Sequence, residues 1–239
     1  MQYLLDQDCA LVILACNTAS AKALRTIQQK DLPLFRESQD RLINVLGVIR
    51  PTVEAVPAIT KTGHIGILAT PATVSSDSYV LELEKLSNSP KDGLTGEAGL
   101  VVTQQSCPMW VPLIEAGEHE SDGAKYFVEK YLREILAKDP LIDTLVLGCT
   151  HYPLLKEKID SSLRNLEISK SRNPEIKTIA QGALVAESLK DYLSRHPEYR
   201  EQLSQGGSCR YLTTENADRF SQSASLFIGE KIVAQHIDL

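Results

Sequence analysis

Apolar positions along the chain follow two rhythms. Short runs rich in Val, Ile and Leu alternate with longer segments whose apolar residues recur every three or four positions. The uninterrupted runs predict strands buried on both faces, and the longer segments predict amphipathic helices that cover them. Strands are expected at 11–15, 44–49, 64–69, 99–103, 144–148, 176–180 and 209–213. Helices are expected at 21–29, 51–60, 76–86, 123–138, 153–163, 184–194 and 215–228. Strand followed by helix, repeated along the chain, is the pattern of an α/β fold on mainly parallel sheets. Proline agrees with three boundaries. Asp31-Leu32-Pro33 is expected to end the first helix, Arg50-Pro51 to open the second, and His151-Tyr152-Pro153 to begin another with Pro in its first turn.

Two stretches echo one another. Leu11-Val12-Ile13-Leu14-Ala15-Cys16-Asn17-Thr18 and Thr144-Leu145-Val146-Leu147-Gly148-Cys149-Thr150-His151 both read as a buried strand, a small residue, a cysteine and two polar residues, then a helix. The echo points to two similar three-layer α/β units facing each other. Their expected extents are 1–47 with 173–239 for the first and 48–172 for the second, and 170–173 reads as a crossing between them.

Composition narrows the function classes. The 239 residues are 43% apolar and 23% charged, ordinary for a globular protein. A formal net charge of −6 leaves no basic face for a nucleic-acid partner. The longest apolar run, Cys9 to Cys16, falls far short of the roughly 20 residues of a membrane span. Met1-Gln2-Tyr3-Leu4-Leu5-Asp6 carries no signal-peptide pattern. A cytoplasmic location without membrane contact is therefore expected. There the five cysteines, Cys9, Cys16, Cys107, Cys149 and Cys209, are reduced thiols. None forms a C-x-x-C pair, no Cys/His spacing suits a structural zinc, and no metal is expected. The run Glu118-His119-Glu120-Ser121-Asp122 reads as a solvated acidic loop.

In parallel α/β sheets ligands gather beyond the carboxyl ends of strands, where helix N-termini offer free N–H groups to a carboxylate and lower a thiol pKa. Cys16 and Cys149 are expected at two such positions. Two thiols on opposite walls of a cleft suit the transfer of a proton from one face of a carbon to the other. A cysteine closing a buried strand is also an ordinary small core residue, and Asn17, Thr18 and Thr150 serve equally well as helix caps. His151 either bonds backbone or tunes the neighbouring thiol. Trp110 and Tyr152 read as packing residues.

Ala15-Cys16-Asn17-Thr18-Ala19-Ser20 and Gly148-Cys149-Thr150-His151-Tyr152-Pro153-Leu154-Leu155 resemble signature segments of the glutamate racemases, within the aspartate/glutamate racemase superfamily. Ala69-Thr70-Pro71-Ala72-Thr73 and Val111-Pro112-Leu113-Ile114-Glu115 lie between them and are similar to further family segments in the same order. The resemblance spans most of the chain and weakens after about Ser169. It implies two α/β domains with the active site in the cleft between them. It implies Cys16 and Cys149 as catalytic proton donor and acceptor, and Asn17, Thr18, Thr150 and His151 as substrate contacts, with Thr73 near the substrate. It further implies interconversion of L- and D-glutamate with no metal, flavin or pyridoxal phosphate, D-glutamate supply to peptidoglycan, and a homodimer as a permitted assembly.

One departure stands beside the match. Family members carry an Asp-Ser-Gly segment and a later Pro-Tyr-Gly segment ahead of the first cysteine, whereas only fifteen residues precede Cys16. Tyr3-Leu4-Leu5 reads as the last turn of the helix leading into the first cysteine strand. The expectation is a chain that starts within the first unit, about 70 to 80 residues into the family pattern, with little activity by itself. Two alternatives follow: a racemase of aspartate or a related amino acid, or an inactive fragment that binds an acidic ligand.

Overall fold

Leu11–Leu14 (β1) and Asn44–Gly47 (β2) pair in parallel, with Val12 opposite Val45. A parallel pair needs a crossover, and the helices Asn17–Thr26 and Leu32–Gln39 supply it. The computed structural model describes residues 1–87, 99–165, 175–204 and 206–239; the expected crossing at 170–173 lies outside them. The expected stop at Asp31-Leu32-Pro33 is corrected. The first helix runs through a π turn at Ile27–Asp31 and on into Leu32–Gln39. Pro33 falls directly after the π turn, where the bond before it runs five residues back, from the Leu32 N–H to the Ile27 carbonyl, and the regular ladder is already interrupted. The continuation buries Leu32 against Leu5, Val12, Ile43 and Val45. Leu5 belongs to the short helix Gln2–Asp6, as its sequence suggests.

His64–Ala69 (β3), Val101–Ser106 (β4), Thr144–Gly148 (β5) and Lys177–Ala180 (β6) form a second parallel sheet in the order β4-β3-β5-β6. Central β5 is buried throughout, as an uninterrupted apolar run requires. Period-2 alternation divides its side chains between two cores. Leu145 and Leu147 meet Trp110, Leu132, Ile135 and Ile159 on one face, while Val146 meets Ile65, Ile67, Tyr79 and Ile179 on the other. The strand Lys177–Ala180 departs from the expected division of the chain. Placed with the first unit from the sequence, it pairs with β5 in the larger sheet, Val146 opposite Ile179. Ile179 is the physical reason, since it completes the apolar surface beside Val146.

Tyr211–Thr213 (β7) and Ala234–His236 (β8) make a third parallel pair around the helix Ala217–Ile228. Asn216 caps that helix through the N–H of Arg219 at 2.9 Å, and Gly229 ends it at φ +78°. The sequence reading missed β8 and the short helices Pro71–Val74, Trp110–Glu115 and Pro197–Arg200. Each is too short to show a period. Among the described residues no helix is long and apolar enough to cross a membrane.

Asp143 pins the amino end of the larger sheet. Its buried carboxylate accepts the Thr60 hydroxyl (2.6 Å), the N–H of Lys61 (2.6 Å) and of Thr62 (2.8 Å), and the Thr144 hydroxyl (2.9 Å). Burial alone would push this carboxyl up, but the four donors outweigh it and hold it below its ordinary value. A carboxylate with a depressed folded-state pKa adds stability above its unfolded value of about 3.9, and that stability is lost as pH falls through the folded value. Asp143→Asn is expected to lower stability by at least about 2 kcal/mol at pH 7. The deficit should shrink below about pH 4, where the carboxyl of the unfolded chain protonates first, and urea titrations at pH 7 and below pH 4 read it. An equal deficit at both would rule out the charge as its origin.

Candidate active site

Both singled-out cysteines leave the carboxyl end of a parallel strand, Cys16 two residues after β1 and Cys149 directly after β5. The two turns then differ. Cys16 is exposed and forms the extended N-cap residue of the helix Asn17–Thr26, its carbonyl accepting the Ser20 N–H at 2.9 Å. Cys149 is buried at 8% exposure, and a turn through Thr150 and His151 separates it from the single 3-10 turn Tyr152–Leu155. Pro153 sits at the start of that turn, as expected. Gly148 leaves no room for a larger residue before Cys149: an added Cβ would lie 3.1 Å from the Leu68 carbonyl oxygen and 3.2 Å from the Ala69 Cβ.

A helix N-terminus beyond each strand was expected to lower the thiol pKa; for Cys149 the structure reverses that sign. Burial pushes its thiol above the ordinary value, and the charge of Cys16 adds to the rise. The N–H groups of His151 and Tyr152 and the Thr150 side chain pull the other way without overcoming it.

His151 reaches back to the thiol. Its Nδ1 lies 3.8 Å from the Cys149 Sγ, and its Nε2 lies 3.1 Å from Glu115 Oε1. Glu115 is the last residue of the helix Trp110–Glu115, anchored by fully buried Trp110 and Ile114. Phe227 meets the imidazole edge-to-face with centroids 5.1 Å apart. The thiol, imidazole and carboxylate therefore form a line from the buried strand end to solvent. Glu115 lay within a family-like segment, but nothing in the sequence singled it out. Its contact with His151 depends on two helices meeting.

The remaining expected residues divide. Thr18 joins its hydroxyl to those of Thr70 (2.9 Å) and Thr73 (3.2 Å), so residues from the two echoing halves share one polar cluster. Thr150 is exposed beside Cys149. Asn17 is 2% exposed with both ends of its amide engaged, Nδ2 donating to Gln181 Oε1 and Oδ1 accepting from the Tyr79 hydroxyl, each at 2.7 Å. Neither Asn17 nor Thr18 is the cap residue of the helix: that position belongs to Cys16, whose side chain makes no capping hydrogen bond. The sequence reading missed Thr70, Tyr79 and Gln181 as neighbours of the site.

Residues 1–172 match the Asp/Glu/Hydantoin racemase family, a span that includes both thiol turns. The chain belongs to this racemase family. It is an isomerase. It is 34% identical to a glutamate racemase of Streptococcus gordonii, over 100% of this chain and 78% of that protein. Among solved structures, it resembles a glutamate racemase of Bacillus anthracis at 27% identity with a TM-score of 0.78, covering 100% of this chain and 78% of the other. It also resembles a glutamate racemase of Francisella tularensis in complex with D-glutamate, at 25% identity with a TM-score of 0.72, covering 100% of this chain and 76% of that one. The racemase thus shares with these proteins a mixed α/β fold on parallel sheets.

Proposed function

We propose that the racemase interconverts L- and D-glutamate by proton transfer between Cys16 and Cys149. The observation that carries this reading is that each thiol leaves the carboxyl end of a parallel strand, and that Thr18, two residues past the first thiol, shares a hydroxyl cluster with Thr70 and Thr73 at the end of β3, beside the strand that carries the second. One thiolate takes the α-proton, so that a C–H bond breaks and an S–H bond forms. The electron pair is held on the substrate, and the opposite thiol delivers its proton to the other face of the same carbon. The two sulfurs exchange protonation states in each turnover; between turnovers one thiol loses its proton to solvent and the other gains one from it, which restores the starting state. Burial holds Cys149 in the neutral form, which suits the donating role. His151, backed by Glu115, stands where it can take that proton when Cys149 must act as base. The hydroxyls of Thr18 and Thr150 and the first N–H groups of the helix Asn17–Thr26 are suited to the substrate carboxylates, with buried Thr73 holding the Thr18 hydroxyl at 3.2 Å.

Glutamate is favoured over aspartate because the similar proteins named above are glutamate racemases. The activity would supply D-glutamate for peptidoglycan in the cytoplasm, a compartment in keeping with five unpaired cysteines. Incubation with L-glutamate in D2O is expected to yield D-glutamate bearing α-deuterium, with L-aspartate turned over at least about 100-fold more slowly. Chiral chromatography with mass detection reads both. Faster turnover of aspartate would move the assignment to an aspartate racemase, and no α-deuterium in either amino acid would exclude a competent base.

A further inference from the structure

Behind the site lies a closed ring of buried polar side chains. The Asn17 Nδ2 donates to Gln181 Oε1 (2.7 Å), the Gln181 Nε2 donates to the Tyr79 hydroxyl (2.6 Å), and that hydroxyl donates to Asn17 Oδ1 (2.7 Å). Every bond runs in the same sense around the ring, so each group is both donor and acceptor and the bonds reinforce one another. The second N–H of the Gln181 amide goes to the Thr52 hydroxyl at 2.7 Å, which in turn donates to the Val48 carbonyl at 3.2 Å. Asn17, Thr52, Tyr79 and Gln181 are all buried, so a broken ring leaves unpaired polar groups away from water.

The ring touches the turns of both thiols. Asn17 directly follows Cys16, and its amide is held by Tyr79 and Gln181. The other end of the contact is the Tyr79 ring, whose Cε2 would lie 3.4 Å from a Cβ added to Gly148, the residue directly before Cys149. One aromatic side chain therefore bonds the residue after the first thiol through its hydroxyl and packs on the residue before the second through its ring. Gln181 holds Tyr79 from behind and comes from the N-terminal end of the helix Gln181–Arg195, directly after β6.

We propose that Tyr79 and Gln181 are positioning residues that set the spacing between the Cys16 and Cys149 thiols. This rests on the two-thiol reading above. Neither residue needs to touch substrate. They act by fixing two sulfurs against one carbon, a placement in which an error of about 1 Å costs about 100-fold in rate.

Tyr79→Phe and Gln181→Met keep the side-chain volume and break the ring. Each is expected to lower kcat for D-glutamate formation by about 10- to 100-fold, with KM within about twofold of wild type. Because both break one ring, the double variant should be no slower than the slower single. In D2O, deuterium returned to unreacted L-glutamate should rise relative to deuterium in the inverted product. One thiol can still exchange the α-proton while the other has lost its place. A merely structural role would lower exchange and inversion by the same factor, and that result, additive effects or unchanged rates would overturn the proposal. A second reading needs no turnover. In a Cys9→Ser, Cys209→Ser background, bridging of the two thiols by dibromobimane, followed by peptide mass, should slow in both ring variants. Unchanged bridging refutes the spacing role. Slowed bridging in a protein whose wild type inverts no glutamate would instead leave the ring standing and remove the proposed function.

Discussion

Replacing Cys149 by alanine is expected to lower the interconversion of glutamate enantiomers by about 10³-fold, within the range by which a positioned acid or base accelerates a reaction. The thiol directly follows β5, and the His151 imidazole stands 3.8 Å from it. Removing it leaves the imidazole 3.8 Å from where the sulfur stood, with no acid to pass a proton to the substrate carbon. Cys16→Ala should be equally damaging, because inversion needs a group on each face. The two variants should differ in exchange, however. Each keeps one thiol, so each should retain α-proton exchange with one enantiomer and lose it with the other. Chiral separation of L- and D-glutamate after incubation in D2O measures inversion and exchange together. Near-wild-type inversion by either variant, with the folded state checked by far-UV circular dichroism, would sink the two-thiol mechanism.

Trp110→Ala is expected to cost about 3–5 kcal/mol of stability, the largest single effect predicted for the core. The indole is fully buried among Leu68, Leu132, Ile135 and Tyr152 and makes edge-on contacts with Tyr152 (4.7 Å) and Tyr131 (5.8 Å). The side chain opens the helix that carries Glu115, and Tyr152 follows His151, so the same cavity would loosen the carboxylate–imidazole pair. Activity should therefore fall with stability. The indole Nε1 has no hydrogen-bond partner among the described residues, so Trp110→Phe removes an unpaired donor and should cost much less. Urea unfolding followed by far-UV circular dichroism reads both variants without the lost tryptophan signal. Equal stabilities for the alanine variant and the wild type would mean that this side chain does not anchor the core.

Much of this was legible along the chain. The uninterrupted apolar runs announced β1, β2, β3 and β5; β3 and β5 are covered on both faces and have no polar alternate, whereas β1 leaves Ile13 exposed. Pro153 marked the turn after Cys149 for a local steric reason. Pro33 misled, since proline breaks a regular helical ladder but fits where a π turn already interrupts it, and only the packing of Leu32 decides which applies. The strand Lys177–Ala180 was recognised as a strand but given to the wrong sheet. Its partner β5 is remote in sequence, and an apolar run does not name its neighbour.

The chain by itself determined the α/β class, the two thiol turns and the resemblance to a racemase family, because periodicity, small residues and local motifs are properties of neighbours in sequence. Tertiary structure decided the rest. It carried Glu115 to His151, and it closed the ring of Asn17, Tyr79 and Gln181 behind the thiols. It also turned the expected lowering of the Cys149 pKa into a rise. All three depend on burial and on contacts between distant elements. A thiol at a strand end has the same sequence whether its surroundings are water or packed side chains, and desolvation follows from the surroundings alone.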